Sequence, residues 1–331
     1  MSLRIIKAGL LDTVQDLGRY GYQHLGINPG GVMDRFASTT ANMLLGNDLN
    51  EAVIEMHFPA PAFLFEQDAI IALDGADFSP TINGEMIPLR HPLIISKSSV
   101  LHFDKLVSGS RAYLSIRGGM EIEPWLGSCS TNLKAAAGGY KGRQLHKDDV
   151  ILFRKKEDHT KILRGRDFLL LHWEPDIKWS SILGDKIAVI PGHEWERLNA
   201  GSKKNFFAQP YHISNAADRM GYRLTGKALI PDDKTELVSS AVSFGTIQLL
   251  PDGQLIVLMA DHQTTGGYPR IGHVITAHLP RLAQCRPGDI IYFSQAGQRE
   301  AEELYLLQRQ HLLQLQNACI FRLEEFFNNH V

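Results

Sequence analysis

Cysteine is scarce in this chain of 331 residues: Cys129, Cys285 and Cys319 are odd in number, far apart and without a C-x-x-C pair. That argues against a disulfide framework and a structural zinc site, so no metal is expected and a reducing cytoplasm is the expected compartment. Long apolar runs are missing too. No uninterrupted stretch approaches the roughly 20 residues that a membrane helix requires, and Met1-Ser2-Leu3-Arg4-Ile5-Ile6-Lys7 lacks the apolar core of a signal peptide. Charge of one sign is not in excess either. The 34 basic and 36 acidic residues give a formal net charge of -2, which leaves no electrostatic case for nucleic acid or an anionic membrane surface. A small, weakly charged ligand or a protein partner remains.

What is present is a succession of short apolar runs. Ala69-Ile70-Ile71-Ala72-Leu73, Pro92-Leu93-Ile94-Ile95, Ala112-Tyr113-Leu114-Ser115-Ile116, Val150-Ile151-Leu152-Phe153, Phe168-Leu169-Leu170-Leu171, Lys186-Ile187-Ala188-Val189-Ile190, Gln254-Leu255-Ile256-Val257-Leu258 and Ile290-Ile291-Tyr292-Phe293 are each bounded by turn-forming residues. They predict a mainly β protein of barrels or sandwiches with a few helices. Asp34 is placed to cap a helix from about Arg35 to Leu45, with Gly46 as its terminator. A second helix is expected from about Gln298, where Ala301, Leu304, Gln308, His311, Leu315 and Ala318 recur at helical spacing. That stripe reads as a packing face, with His311 as a hydrogen-bonded residue rather than a metal ligand. The charged segment 154–161 suggests a lobe boundary, giving lobes over 1–160 and 161–297 and a C-terminal helix over 298–331.

Four polar clusters carry the candidate chemistry. The richest is Asp261-His262-Gln263-Thr264-Thr265-Gly266-Gly267-Tyr268-Pro269, directly after the apolar run 254–258. An acid, an imidazole, an amide and two hydroxyls exceed what a turn needs, and Gly-Gly lets the backbone approach a ligand. The other reading is a capped surface turn. Adjacent residues on an extended backbone point to opposite faces, so a direct Asp261-His262 dyad is not expected, and Asp218 or Asp16 is the alternative partner of His262. Gln248 in Gly245-Thr246-Ile247-Gln248 joins this cluster. A second cluster holds Asn215, Asp218, Arg219 and Arg223 within nine positions, which either meet a ligand or form a salt-bridge network at a strand exit. A third contains Gln15, Asp16 and Arg19, then Gly30-Gly31. Arg19 offers a planar fork to a carboxylate or carbonyl, or Asp16 and Arg19 merely pin the loop. Neither G-x-G-x-x-G nor G-K-[ST] is present, so Gly30-Gly31 is not a phosphate loop. The fourth is Ser128-Cys129-Ser130-Thr131-Asn132 with Gly138-Gly139-Tyr140, a backbone nest for an oxyanion or a tight chain reversal. No activating base adjoins Cys129. The Asp16-to-Gly21 and Asp218-to-Tyr222 segments resemble each other, a hint of related lobes.

Taken together, Gln15-Asp16-x-Gly18-Arg19-x-Gly21, Gly31-Val32-Met33-Asp34, Thr131-Asn132, Asp218-Arg219-Met220-Gly221, Gly245-Thr246-Ile247-Gln248 and the 261–269 segment resemble the allophanate hydrolase subunit 2 family. Its relatives include the carboxyltransferase module of urea carboxylase, the C-type subunit of bacterial ATP-dependent 5-oxoprolinase, and the antagonist of a sporulation-kinase inhibitor. The resemblance covers about residues 3 to 300. It implies two cyclophilin-like β-barrel lobes, and pairing with a homologous barrel-fold (B-type) protein and a lactam-utilisation (A-type) protein of the 5-oxoprolinase assembly. It also implies one of three roles: hydrolysis of 5-oxoproline to glutamate, the acceptor half of a urea-type carboxyltransferase, or regulatory binding of a barrel-fold kinase inhibitor. There is no Met-Lys-Met tripeptide for biotin and no Gly-rich ATP signature. No covalent cofactor is therefore expected, and ATP used by a complex has no identified site in this chain. A lactam-opening role needs stabilisation of a developing oxyanion and proton transfer at nitrogen. Asp261, His262, Gln263, Asp218 and Arg219 are the catalytic candidates. Gln15, Asp16, Arg19, Thr131, Asn132, Asn215, Arg223, Gln248, Thr264, Thr265, Gly266, Gly267 and Tyr268 are the candidates for substrate binding.

Overall fold

The computed structural model describes residues 2–176, 183–233 and 236–330. The chain divides into two compact units. The first is Met1–Arg19, Asp34–Asp176 and Gln310–Val331, and the second is Tyr20–Met33 with Ile177–Arg309. Residues 161–176 thus stay with the first unit, the 20–33 segment belongs to the second, and the C-terminal helix contributes to both. Five α-helices are described: α1 (Arg35–Leu44), α2 (Thr160–Leu163), α3 (Ala200–Ala208), α4 (Leu279–Ala283) and α5 (Gln298–His330).

Twelve strands build the first unit. β1 (Ser2–Lys7), β4 (Ala62–Phe65), β6 (Pro80–Ile82), β7 (Glu85–Met86), β9 (Val100–Phe103) and β11 (Val150–Leu152) form one sheet, in the order β11-β1-β4-β9-β6-β7. β2 (Thr13–Gln15), β3 (Val53–His57), β5 (Ala69–Asp77), β8 (Leu93–Ile95), β10 (Ser108–Ile116) and β12 (Phe168–Leu170) form the other, in the order β12-β8-β5-β10-β3-β2. Alternate residues of both sheets, among them Leu3, Ile5, Phe63 and Phe65 against Ile54, Met56, Ile71 and Leu114, make one apolar core. The opposite face of the second sheet is covered as well. Ile70, Ala72 and Ile94 pack with Met43 and Leu44 of α1 and with Cys319 and Leu323 of α5. Burial on both faces is why residues 69–73 read as continuous apolar sequence rather than alternation. Asp34 caps α1, its carboxylate accepting the Ala37 N–H at 2.9 Å, and Gly46 follows with a φ of 65°. His311 of α5 bonds the Asp176 carbonyl at 3.2 Å.

The second unit is a single curled sheet. β13 (Ile187–Pro191), β14 (Tyr211–Ile213), β15 (Gly221–Thr225), β17 (Thr246–Leu249), β18 (Leu255–Leu258), β20 (Arg270–Val274), β21 (Ile290–Ile291) and β22 (Phe293–Gln295) run in the order β21-β14-β15-β18-β17-β20-β13-β22. Its two edges are consecutive in sequence, with only Tyr292 between them. The sheet must therefore close on itself, which leaves few unpaired edge groups. The one strand expected over 290–293 is in fact two, because the chain bends at Tyr292 to serve both edges. Inside lie Val189, Ile213, Leu224, Ile247, Leu249, Val257 and Ile271. Phe206 of α3 stacks on Phe293 at 5.0 Å between ring centroids. A two-stranded ribbon, β16 (Ser240–Ala241) with β19 (Thr265–Gly266), completes the unit.

Candidate active site

In the second unit the polar segment begins where β18 ends. Met259 N–H donates to the Met220 carbonyl at 3.0 Å and Asp261 N–H to the Arg219 carbonyl at 2.7 Å, so the β15–β18 pairing runs on past both strands and brings the two motifs side by side. Asp261 and Arg219 are then joined through their side chains. Arg219 Nε lies 2.8 Å and Nη2 3.1 Å from the two carboxylate oxygens, and Nη2 also donates to the Gly31 carbonyl at 2.6 Å. This is the bidentate geometry that makes an arginine pair rigid. Asp218 instead serves the turn. Its carboxylate accepts the Met220 and Gly221 N–H groups at 2.8 and 3.1 Å, and the residue is exposed. Of the cluster Asn215, Asp218, Arg219 and Arg223, Arg219 makes the ion pair at the strand exit, with Asp261.

His262 is buried, with Nδ1 2.5 Å from the Gln263 carbonyl. A carbonyl can only accept, so Nδ1 carries the hydrogen and Nε2 is the basic nitrogen of the neutral ring. Gln263, Thr265 and Gly267 are exposed, as are Asn215, Arg223 and Tyr268, while Thr264 and Gly266 are half-buried. Gln248 is fully buried and donates from Nε2 to the Tyr268 carbonyl at 3.3 Å. Nearby, a cavity of about 660 Å³ is lined by Arg197, Leu229, Leu237, Leu249, Gly267 and Tyr268, among others. Two side chains missed by the sequence reading stand on β20. Arg270 holds Glu194 in a fork at 2.8 and 3.0 Å. Burial works against ionisation of Glu194, but the hydrogen bonds from Arg270 outweigh it and keep the carboxyl below its ordinary range. His273, bonded to the Thr246 hydroxyl at 3.3 Å, is pushed below the ordinary histidine range by burial and by Arg270.

In the first unit, Asp16 organises the serine-rich loop. Its carboxylate accepts from Ser128 Oγ at 2.6 Å, Cys129 N at 2.6 Å, Ser130 Oγ at 2.5 Å and Gly18 N at 2.8 Å. Arg19 is buried, donates to the Ser130 carbonyl and lies 4.6 Å over the Trp125 ring. Both residues therefore hold the loop in place. Gln15 donates to Thr13 Oγ1 at 3.0 Å and to the Thr131 carbonyl at 3.4 Å, and the Thr131 hydroxyl donates to the Val14 carbonyl at 2.9 Å. Asn132 caps a turn, accepting from Ala135 N at 3.0 Å. Gly139 is required where it is, since a Cβ there would fall 1.9 Å from Thr131 Oγ1. Burial, then the Asp16 charge, pushes the Cys129 thiol up to about 11, so it is no thiolate nucleophile at neutral pH. A polar row also went unseen in the sequence. Thr13, Glu55, Tyr113 and Asp74 stand in register across four adjacent strands, and all are buried. The Tyr113 hydroxyl donates to Glu55 at 2.9 Å and accepts from Asp34 N–H at 2.8 Å.

Comparison with known proteins gives the family. The sequence model of the carboxyltransferase domain, subdomain A and B, matches residues 25–295. The chain belongs to this carboxyltransferase family. It is 36% identical to the 5-oxoprolinase C subunit of Escherichia coli, over 95% of this chain and 97% of that protein. It is 35% identical to the 5-oxoprolinase C subunit of Haemophilus influenzae, over 88% of this chain and 90% of that one. Among solved structures, urea amidolyase of K. lactis superimposes with a TM-score of 0.84 at 27% identity, covering 95% of this chain; the chain spans 20% of that much longer protein.

The two cyclophilin-like lobes expected from the sequence agree with the mainly β architecture and with this structural likeness. For a carboxyltransferase-family chain, the imidazole, carboxamide and hydroxyls of the 261–268 segment suit stabilisation of an oxyanion and movement of a proton. Among the described residues no group of His, Cys, Asp and Glu is placed to hold a metal ion, and no helix is long and apolar enough to cross a membrane.

Proposed function

We propose that this chain is the C-type subunit of an ATP-dependent 5-oxoprolinase complex, inactive without its partners. The observation that carries this reading is the near end-to-end match to the 5-oxoprolinase C subunit, 95% of one chain on 97% of the other. In the overall reaction, water adds its hydroxyl to the lactam carbonyl carbon, the C–N bond breaks, and a proton goes to nitrogen to give glutamate. ATP hydrolysis to ADP and phosphate drives it, and ATP binds on a partner. The partners are a barrel-fold protein and a lactam-utilisation protein, working in the cytoplasm. Within the chain, His262 takes a proton through Nε2 while Gln263 and the 264–268 segment hold the cyclic amide. Arg219 and Asp261 fix the backbone that presents them.

A second reading rests on the likeness to urea amidolyase, namely the acceptor half of a urea-type carboxyltransferase. Supplying the assembled complex with ATP and either 5-oxoproline or urea with bicarbonate separates them. Glutamate release from 5-oxoproline is expected. Carboxylation of urea, with no glutamate formed, would replace the first reading by the second.

A further inference from the structure

Gln248 is a buried carboxamide that makes one hydrogen bond among the described residues, from Nε2, and none at Oε1. It sits on β17, where Ile247 and Leu249 point into the barrel core and Gln248 takes the other face. That outer face would ordinarily be wet, yet Gln248 is 0% exposed. What covers it is the glycine-rich segment. The Tyr268 carbonyl accepts from Nε2 at 3.3 Å, and Gly266 comes so close that a Cβ there would lie 2.5 Å from Nε2. Oε1 has no hydrogen-bond partner among the described residues. A buried carbonyl oxygen without a donor is destabilising, and such atoms are rare in folded proteins.

The chemistry of a primary carboxamide limits what can fill this gap. Oε1 accepts and Nε2 donates, side by side on one edge. The matching edge must offer a donor and an acceptor side by side. An open-chain peptide is trans and places them on opposite sides. A small-ring lactam is held cis, so its N–H and C=O share one edge and meet the carboxamide in two parallel hydrogen bonds.

The cover is anchored at its ends, by the Val242 N–H on the Thr264 carbonyl at 3.2 Å and the Leu249 N–H on the Pro269 carbonyl at 2.9 Å, and is held more lightly between them. β19 is held to β16 over only two residue pairs, and the 3.3 Å contact from Nε2 to the Tyr268 carbonyl is a long one. The same cover forms part of the wall of the 660 Å³ cavity, through Gly267, Tyr268 and Pro269. Shifting residues 266–268 therefore opens Gln248 toward that cavity. We propose that Gln248 is the lactam-reading residue of this protein, its Oε1 accepting the ring N–H and its Nε2 donating to the ring carbonyl once the 266–268 segment lifts. This rests on the 5-oxoprolinase reading. It assigns substrate recognition to a residue that the exposed polar segment conceals.

The test uses the assembled complex and needs no variant in its first arm. 5-Oxoproline is compared, as ligand, with the γ-lactone of 2-hydroxyglutarate, which keeps ring, carbonyl and carboxylate but lacks N–H. The intact complex should bind the lactam at least about 100-fold more tightly, because the lactone leaves Oε1 unpaired and opposes it with a ring oxygen. In the second arm, Gln248→Leu should raise KM for 5-oxoproline about 100-fold and erase most of the lactam preference, and Gln248→Glu, which keeps the shape and loses a donor, should also raise KM. Equal binding of lactam and lactone by the intact complex would overturn the proposal. So would an unchanged KM in either variant. A complex that neither binds nor turns over 5-oxoproline would instead overturn the functional reading on which the proposal stands.

Discussion

Two of the three arginines singled out by the sequence rest on a backbone carbonyl, Arg19 on Ser130 and Arg219 on Gly31. Beside each stands an aspartate bonding nearby amides, Asp16 to Gly18 and Asp218 to Met220, so the sequence likeness between the two segments has a local counterpart in geometry. Asp16 accepts four hydrogen bonds in a buried site. Asp16→Ala should therefore cost at least about 3 kcal/mol of stability, read from denaturant unfolding, and a cost under about 1 kcal/mol would show that the loop does not depend on it. His262→Ala should lower turnover of the assembled complex roughly 100-fold if Nε2 moves a proton. Unchanged turnover would make His262 a structural residue. A pH effect follows from Asp12, whose carboxyl burial raises to about 7, against backbone hydrogen bonds from Gly9 and His57 that favour ionisation. With a folded pKa above the unfolded one, the folded chain holds a proton that the unfolded chain has lost between about pH 4 and 7. Stability contributed by the neutral acid is present below about pH 4 and is lost as pH rises to about 7, by on the order of 4 kcal/mol at most. Asp12→Asn should flatten that part of the stability profile. An identical profile would refute the burial effect.

At the scale of elements, α5 shows why a stripe in sequence is worth trusting. Gln308 is buried and Ala301, Leu304, His311 and Leu315 are half-buried as the spacing requires, but Ala318 is exposed, and its neighbour Cys319 with Leu323 closes the apolar layer over Ile70 and Ile94. Leu323→Ala should destabilise the first unit by roughly 2–4 kcal/mol, and a loss below about 0.5 kcal/mol would mean that α5 is not part of this core. By contrast α3 was not legible. Ala200-Gly201-Ser202-Lys203-Lys204-Asn205-Phe206-Phe207-Ala208 has no apolar stripe, and it buries only Ser202 and Phe206. Its one readable signal was the Asn199 cap, which accepts from Ser202 N at 2.7 Å. The 261–269 segment declared itself because its polar residues are consecutive. The row Thr13, Glu55, Tyr113 and Asp74 did not, because each is a single polar residue in an apolar strand and only strand register brings them together. Gln248 was legible as a candidate beside that segment, but its burial was not, because it depends on the fold laying Gly266 and Tyr268 over it.

At the scale of the whole molecule, each unit has its own apolar core, and with its ample apolar content the chain should fold without partners. On the proposed 5-oxoprolinase reading, folding alone should not give it activity, since a lactam hydrolysis driven by ATP would take its nucleotide from a partner. The most direct test of the divided enzyme is to purify this chain, the barrel-fold partner and the lactam-utilisation partner separately, and to measure ATP-dependent glutamate release from 5-oxoproline for each alone, each pair and all three. The expected result is a folded but inactive single chain, with activity appearing when all three are mixed and saturating as this chain is titrated in. Full activity of this chain alone, or undiminished activity of the other two without it, would contradict its role as an obligatory component of the enzyme.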